Sequence, residues 1–531
     1  LSNYPPSASD IKVGLAISED LESVSEKHLI TPFNAKAMAL FPERINGKIY
    51  AILTVHTDLP PARICIASFD NIEELWSKDY WENWYKDFEK YSLPLLKSNN
   101  DHLEVGAQPI KTKYGWLLLF CYIKDYYSPN RLFTVDAVLL DKDNPYEMIS
   151  RLNIPILVPE EYYEKFGMVP NVVFPSGAIL KNDMIYFYYG AADTTCCLAF
   201  IKLKSLLDRL LGKDQKYYSP LIRVRENPII SPIKEHYWES KATFNPAAIY
   251  LDNKVHIVYR AMSEDNTSVL GYAISKDGIH IDYRSEEPIY VPREDFEMKK
   301  VENANSGCED PRLTKIDYKI YMLYTAFDGK NAPRVAITWI YENDFLNQNW
   351  KWAKPILISP PNVMDKNASI FPEKVNNKYL IIHRLGNDID YAFFDDLDFE
   401  EGEFLEQQRW IRPRRMMWDS IKIGMVAPPI KTNKGWIAFY HGVSEDFTYR
   451  VGALLLNLKN PIKVIARTDK PLLEPQEVYE KLGITNNVVF PCGNVLIGDT
   501  IYLYYGAADT HVCVATIKVR DILRYLSYCK Y

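Results

Sequence analysis

Long apolar runs are missing from this chain. Nowhere in its 531 residues does an uninterrupted hydrophobic stretch approach the roughly 18 residues of a membrane-spanning helix, so no membrane partner is expected. A basic surplus is missing too. The formal net charge is −7, and a nucleic-acid partner would call for a positive surface. The eight cysteines form no C-x-x-C pair and no metal-ligand spacing. That excludes the usual zinc and disulfide frameworks and suggests reduced thiols in a cytoplasmic protein with no metal or organic cofactor. No charged stretch followed by an apolar one opens the sequence, so no signal peptide is visible, and no low-complexity tract appears.

What is present is aromatic and β-rich. Tyr (38) and Trp (11) are abundant, and both favour strands. Runs such as 254–259, 318–324, 378–383 and 435–440 alternate β-branched and aromatic residues, with Asn-Gly, Asp-Gly and Lys-Gly turn signals nearby. Strands recur through 216–531 with almost no helical periodicity. A sandwich, a barrel or a propeller fits that pattern, and its blade-like repetition favours the propeller. Two helical exceptions are expected. One is an insertion at 72–92, and the other is an amphipathic segment at 201–211 with a counterpart at 517–528.

The chain also repeats itself. Val172-Val173-Phe174-Pro175 through Tyr189-Gly190-Ala191-Ala192-Asp193 returns 316 residues later (172 to 488) as Val488-Val489-Phe490-Pro491 through Tyr505-Gly506-Ala507-Ala508-Asp509. Residues 1–215 thus read as a partial copy of 316–531, with the boundary at Gly212–Gln215. Residues 216–315 have no upstream partner, so chemistry that lies there exists once.

That unpaired stretch holds Gly307-Cys308-Glu309-Asp310-Pro311-Arg312, which precedes a strong strand and can present one acid into a cleft. The plain alternative is a turn in which Asp310 caps backbone amides and Arg312 pairs with Glu309. Further polar motifs accompany it: Phe244-Asn245-Pro246-Ala247, Tyr259-Arg260, Asp365-Lys366-Asn367, His383-Arg384, Trp418 to Gly424, Tyr440-His441 and Tyr449-Arg450. Each has a structural alternative. Arg384 could pair with Asp388 or Asp390, His441 could be a satisfied core histidine, and Asp509 could cap a turn. Tyr504 and Tyr505 read as strand packing rather than a sugar platform, and Trp418 fits either core or cleft.

Taken together, these motifs resemble glycoside hydrolase family 130, the five-bladed β-propeller enzymes that include inverting β-mannoside phosphorylases and β-mannosidases. The resemblance spans 216–531 with the motifs in family order. It implies an all-β protein with a five-bladed propeller at 216–531 and, at 1–215, a partial propeller of about three blades with a helical insertion. It implies Asp310 as the catalytic acid and Asn245, Arg260, Asp509 and Arg312 as sugar-binding residues. Arg384, His441, Lys366, Asn367 and Tyr449 would hold inorganic phosphate, the co-substrate beside a β-mannoside oligosaccharide.

The chemistry is consistent with that assignment. Inverting hydrolysis needs an acid and a water-activating base. Phosphate is already an anion, so phosphorolysis can dispense with the base and needs cationic groups instead. The activity implied is phosphorolysis of non-reducing-end β-mannosides to α-mannose 1-phosphate. A hydrolase on the same fold and a non-catalytic glycan-binding tandem propeller are the alternatives. The linkage stays open, and a homo-oligomer is compatible with the family.

In the N-terminal copy the pattern erodes. Lys36 stands opposite Lys366, but Ala37 replaces Asn367. Leu53-Thr54, or His56-Thr57 with a gap, replaces His383-Arg384. Cys121-Tyr122 lies opposite Tyr440-His441, and Asp193 is kept. No Glu-Asp-Pro-Arg precedes it. The reading preferred is a fragment of a longer tandem protein over a truly partial unit. In either case this copy is expected to be structural or sugar-holding rather than a phosphorylase.

Overall fold

The computed structural model describes residues 11–213 and 215–529. The chain divides between Lys216 and Tyr217 into two compact units, both mostly antiparallel β-sheet with a few short helices. No described helix is long and apolar enough to cross a membrane. All eight cysteines are free thiols.

In the C-terminal unit the strands follow one another as hairpin-linked groups. The first comprises Ala242–Leu251, Lys254–Met262 and Thr267–Ser275, with Tyr283–Arg284 at its edge. The second comprises Ser306–Ile316, Lys319–Phe327, Arg334–Tyr341 and Ile356–Leu357. The third runs from Asp365–Ile370 through Tyr379–Leu385 and Ile389–Phe394 to Gln408–Ile411. The fourth joins Lys422–Met425, Gly435–Val443, Tyr449–Leu456 and Val464–Arg467. The last joins Val489–Ile497, Thr500–Ala507 and His511–Lys518, and takes its outer strand, Ile222–Arg223, from the start of the unit.

Local sequence explains the turns. Asp252-Asn253 and Asn376-Asn377 carry positive φ at both positions, the conformation of a two-residue turn that matches strand twist. Asn and Asp tolerate it because their short polar side chains bond locally. Apolar faces then pack group on group. Leu323, Val335 and Ile337 meet Ala368, Ile370 and Ile381, while Val426, Phe439 and Val451 meet Val489, Leu503 and Tyr505. The last group also packs on the first, with Val495, Tyr504 and Val514 against Ala248, Val255 and Ile257. Each such side chain contributes about 1.5–3 kcal/mol on burial. The unit closes on itself through a β-strand and a shared core.

One irregularity recurs. The first strand of each of the first three groups is bulged against its neighbour, between Phe244 and Ala247, Glu309 and Arg312, and Lys366 and Ser369. Inside each bulge sits one left-handed residue: Asn245 (φ 46°), Asp310 (φ 52°) and Asn367 (φ 57°). A bulge re-aims a side chain, and all three are polar.

The N-terminal unit contains three such groups, starting at Ala35–Leu40, His102–Val105 and Val173–Lys181, and a separate hairpin, Gly14–Ile17 with Glu26–Leu29. The expected insertion at 72–92 is helical: a 3-10 turn Glu73–Trp76, an α-helix Lys78–Lys86 and a second 3-10 turn Phe88–Tyr91. Ser77 caps the α-helix by accepting from the Tyr80 amide. Trp81, Trp84 and Leu75 then bury against Ala51, Leu53, Cys65 and Ala67 of the first group. The amphipathic helices near each unit's end run Leu203–Leu210 and Val519–Leu526, two residues later than expected at their starts because the preceding strands persist to Lys202 and Lys518.

Trp81 is fully buried and its indole N–H donates to the Leu75 carbonyl. Trp81→Ala is therefore expected to destabilise this unit by about 3–5 kcal/mol, read as a lowered midpoint of urea unfolding followed by tryptophan fluorescence.

Candidate active site

The three left-handed residues converge on a cavity of about 400 Å3 in the C-terminal unit. Its wall includes Asn245, Arg260, Asp310, Lys366, Asn367, Arg384, Lys422, His441, Tyr449 and Asp509. Nine of these ten were expected from sequence. A larger cavity, about 630 Å3, lies in the N-terminal unit beside Lys111, Tyr114 and Leu207, far in chemical character from the polar site.

Asp310 is held from one side. Its Oδ1 accepts from Asn245 Nδ2 at 2.8 Å and from Arg260 at 3.2 Å. Its Oδ2 has no protein partner among the described residues and is left for a ligand. Arg260 also donates to Glu309 (2.8 Å) and Ser268 (2.9 Å), and its guanidinium lies 4.6 Å from the Phe244 ring centroid. Glu309 is taken up further by Lys366 at 3.2 Å. The two adjacent carboxylates thus separate in role: Glu309 neutralises cations, and Asp310 faces the cavity. Burial alone would raise the Asp310 carboxyl, but Arg260, Lys366 and Arg312 outweigh it and hold the group below the usual carboxylate range.

Two glycines make this geometry possible. A Cβ on Gly506 would lie 2.2 Å from Asn245 Oδ1, and one on Gly424 would lie 2.4 Å from the His441 ring and 2.7 Å from Asn367 Oδ1.

Opposite Asp310 the wall is cationic. Lys366 and Arg384 are directly paired across two strands, an arrangement of like charges that is unfavourable in isolation. Arg384 donates to Asn367 Oδ1 (2.7 Å) and the Gly386 carbonyl (2.9 Å). It does not pair with Asp388 or Asp390. Lys422 lies 5.0 Å from the Tyr449 ring centroid, and burial, Arg384 and Lys366 push its amine down to about 8. Neither Arg384 nor Lys422 has a carboxylate partner among the described residues. Burial, reinforced by Arg384 and Lys422, pushes His441 well below the ordinary imidazole range, so the ring is neutral. Its buried Nδ1 has no partner among the described residues. Buried polar atoms are almost always satisfied, and an unpartnered His441 nitrogen beside two cations without carboxylates gives this part of the wall a character suited to an anion.

Some expectations change. Arg312 does not line the cavity. It is buried, and its guanidinium donates to the carbonyls of Asp310 (2.6 Å), Val426 (3.0 Å) and Met425 (3.4 Å), so it ties separate segments of backbone together. It does not pair with Glu309. Trp418 packs on Tyr440 and donates to the Asp469 carbonyl, and it is absent from the cavity wall. Tyr504 and Tyr505 are buried, bonded to the Gly278 carbonyl and to Glu480. Asp509 lies on the wall, left-handed at φ 52°, with burial raising its carboxyl. Lys422 was missed, although it sits in the Trp418–Gly424 motif. Its signal was a lysine two residues from a glycine on a short strand.

The family described as β-1,4-mannooligosaccharide phosphorylase, glycoside hydrolase family 130, matches residues 8–211 and again 221–528. The chain belongs to this family. Among its relatives, a β-1,2-mannobiose phosphorylase of Thermoanaerobacter sp. (strain X514) is 42% identical over 315 residues, covering 57% of this chain and 98% of the relative. A 1,2-β-oligomannan phosphorylase of the same organism is 40% identical over 309 residues, covering 57% and 98%. A β-1,4-mannooligosaccharide phosphorylase of Ruminococcus albus is 31% identical over 320 residues, covering 57% and 90%.

Among the described residues the N-terminal family 130 copy has no comparable site. Lys36 pairs across strands with Thr54, where Lys366 pairs with Arg384, which settles the alignment without a gap. The strands from Gly115 and Gly435 run in equivalent register, so Cys121, not Tyr122, stands at the His441 position, one residue from the expected match. Glu104 stands where Gly424 is, with its carboxylate 3.0 Å from Lys36. Ala37 keeps the left-handed conformation of Asn367 (φ 49°) without its polar side chain. The backbone of a site persists while its anion seat is filled by a carboxylate.

Gly506→Ala is expected to displace Asn245 and loosen Asp310. Turnover should fall at least tenfold, and because the added Cβ also lies 2.7 Å from the Asn245 backbone nitrogen the urea midpoint should fall with it, measured by product release alongside unfolding.

Proposed function

We propose that residues 217–531 form a five-bladed β-propeller phosphorylase, with the strand groups as blades and Ile222–Arg223 closing the last one. Residues 1–216 form a partial, non-catalytic propeller of three blades. The substrate is a β-mannoside, as the names of the family 130 relatives suggest. Inorganic phosphate is the co-substrate and nucleophile. A phosphate oxygen attacks the anomeric carbon as the bond to the leaving oxygen breaks. Inversion then yields α-mannose 1-phosphate and a shortened acceptor. A cytoplasmic setting suits the free thiols.

The observation that carries this reading is the cationic wall on which Arg384 and Lys422 have no carboxylate partner among the described residues. Arg384 offers a planar fork, Lys422 and Lys366 add charge, and neutral His441 and Tyr449 add donors. Asn245, Arg260 and Asp509 hold the sugar. Arg260 and Asn245 also fix Asp310, the proton donor to the leaving oxygen. A hydrolase would need an ionised base near the attacking water. Glu309 is taken up by two cations, and burial holds Asp509 toward its neutral form.

Asp310 must carry a proton to act as an acid, yet its cationic neighbours favour the ionised form. A phosphate dianion beside Arg384 and Lys422 offsets that field and raises its pKa. The acid form is lost as pH rises through the pKa. The alkaline limb of activity should therefore move to higher pH as phosphate is increased, measured from initial rates at fixed mannoside.

The direct test incubates the protein with β-1,2- and β-1,4-mannobiose, with and without phosphate. Mannose 1-phosphate formed only with phosphate is the expected product, and Asp310→Asn should lower its rate by about 10²–10⁴-fold. Free mannose released equally without phosphate would contradict the proposal.

A further inference from the structure

One position recurs on the long strand that pairs with the first strand of each C-terminal sheet. Register identifies it as the residue just before Arg260, Thr325, Arg384, His441 and Gly506. In four sheets it is a tyrosine: Tyr259, Tyr324, Tyr440 or Tyr505. Each is buried, and its hydroxyl donates to a buried carboxylate, of Glu239, Glu297, Asp419 or Glu480 respectively. Those carboxylates lie ahead of the sheet's first strand, so each bond ties a connecting segment to the sheet.

The third sheet differs. Its residue there is His383, and the partner is Asp365, the first residue of the neighbouring strand. Both are fully buried. His383 Nδ1 lies 3.0 Å and 3.1 Å from the two Asp365 oxygens, and Ser359 Oγ donates to one of them at 2.9 Å. Burial alone would discharge the ring, but Asp365, with Asp390 and the Glu406 backbone, holds His383 above the ordinary imidazole range. The contact is therefore an ion pair, and it joins the two strands that carry Lys366 and Arg384 in direct opposition. Asp365 precedes Lys366 and His383 precedes Arg384, so the ion pair lies on the other face of the sheet from the two cations.

The N-terminal copy lacks the pair. Ala35 and Leu53, both fully buried, stand where Asp365 and His383 do, and Thr54 stands in place of Arg384. The sheet forms there without an ion pair, and there no like charges oppose each other. We propose that His383 and Asp365 are positioning residues for the anion site: their cross-strand bond holds the two strands against the repulsion of Lys366 and Arg384. Arg384 and Asn367 are thereby kept aimed into the cavity. Like charges directly opposite on paired strands are destabilising, and an attraction one residue behind them, in a low-dielectric interior, offsets that. The inference rests on the reading of Arg384 and Lys366 as phosphate ligands.

The test puts the N-terminal residues into the full chain, Asp365→Ala with His383→Leu, and measures initial rates against phosphate and mannobiose separately. Replacing a buried ion pair by apolar residues is often neutral for folding. The KM for phosphate should rise roughly ten- to a hundredfold while that for mannobiose stays within about twofold, because Asn245, Arg260 and Asp509 lie on other sheets. His383→Asn, whose amide can still donate to Asp365, should keep the phosphate KM within about threefold of wild type. The urea midpoint gives a second readout that needs no activity. The double substitution should lower it in the wild-type chain and leave it unchanged in an Arg384→Thr background, where the opposed charges are gone. Equal rises in both KM values, or a lower rate with neither KM changed, would overturn the proposal and make the pair ordinary core. So would a His383→Asn variant as impaired as the double one, or an equal loss of midpoint in both backgrounds. A wild type that turns over without phosphate, or not at all, would overturn the phosphorylase reading and this inference with it.

Discussion

The site depends on a backbone constraint, a bulge in the first strand of successive sheets that forces one residue into the left-handed region. Regular alternation would send neighbouring side chains to opposite faces. The bulge breaks that alternation and turns Asn245, Asp310 and Asn367 into one cavity. Such a conformation is uncommon for any residue but glycine and is best tolerated by Asn and Asp. The backbone that aims the groups therefore also selects their chemistry. Ala37 shows the same constraint outliving its purpose: the N-terminal copy keeps the strained backbone without the side chain that used it.

Electrostatics completes what the bulges begin. Around one cavity the chain gathers Arg260, Lys366, Arg384 and Lys422 with the carboxylates of Asp310 and Asp509, and Glu309 lies just behind; Arg260, Arg384, Glu309 and Asp310 are buried and the rest half-buried. Glu309 and Asp310 take up Arg260, and Glu309 takes up Lys366, while Arg384 and Lys422 remain without carboxylates. Leaving buried cations uncompensated costs stability. The lowered Lys422 amine and the neutral His441 ring reduce that cost. In the N-terminal copy the conflict is resolved locally, since Glu104 neutralises Lys36.

Much of this was legible in the sequence because the informative residues come in short motifs. Glu309-Asp310-Pro311-Arg312, His383-Arg384 and Tyr440-His441 each bring a functional group to the cavity. The internal repeat located the unpaired stretch that holds Asp310. The misses have physical causes. Arg312 travels with Asp310 in sequence, but the register shift between Glu309 and Arg312 turns it toward backbone carbonyls of another strand. Lys422 looked like an ordinary strand lysine, because its partners Arg384 and Tyr449 lie on other strands. The one-residue slip at Cys121 is settled only by strand pairing, in which Cys121 faces Glu104 as His441 faces Gly424. Exposure of the Tyr188 face could not be read at all, since the repeat preserves the residues while nothing among the described residues covers them.

The central claim is that the cationic wall is an anion seat whose occupancy sets the protonation around it. Titration calorimetry of inorganic phosphate at pH 8, in two buffers of different ionisation enthalpy, tests it directly. The account predicts binding with net proton uptake, because an amine at about 8 regains its proton beside a dianion, and loss of both signals in Arg384→Ala. A protein that turns over mannoside yet takes up neither phosphate nor protons would contradict it.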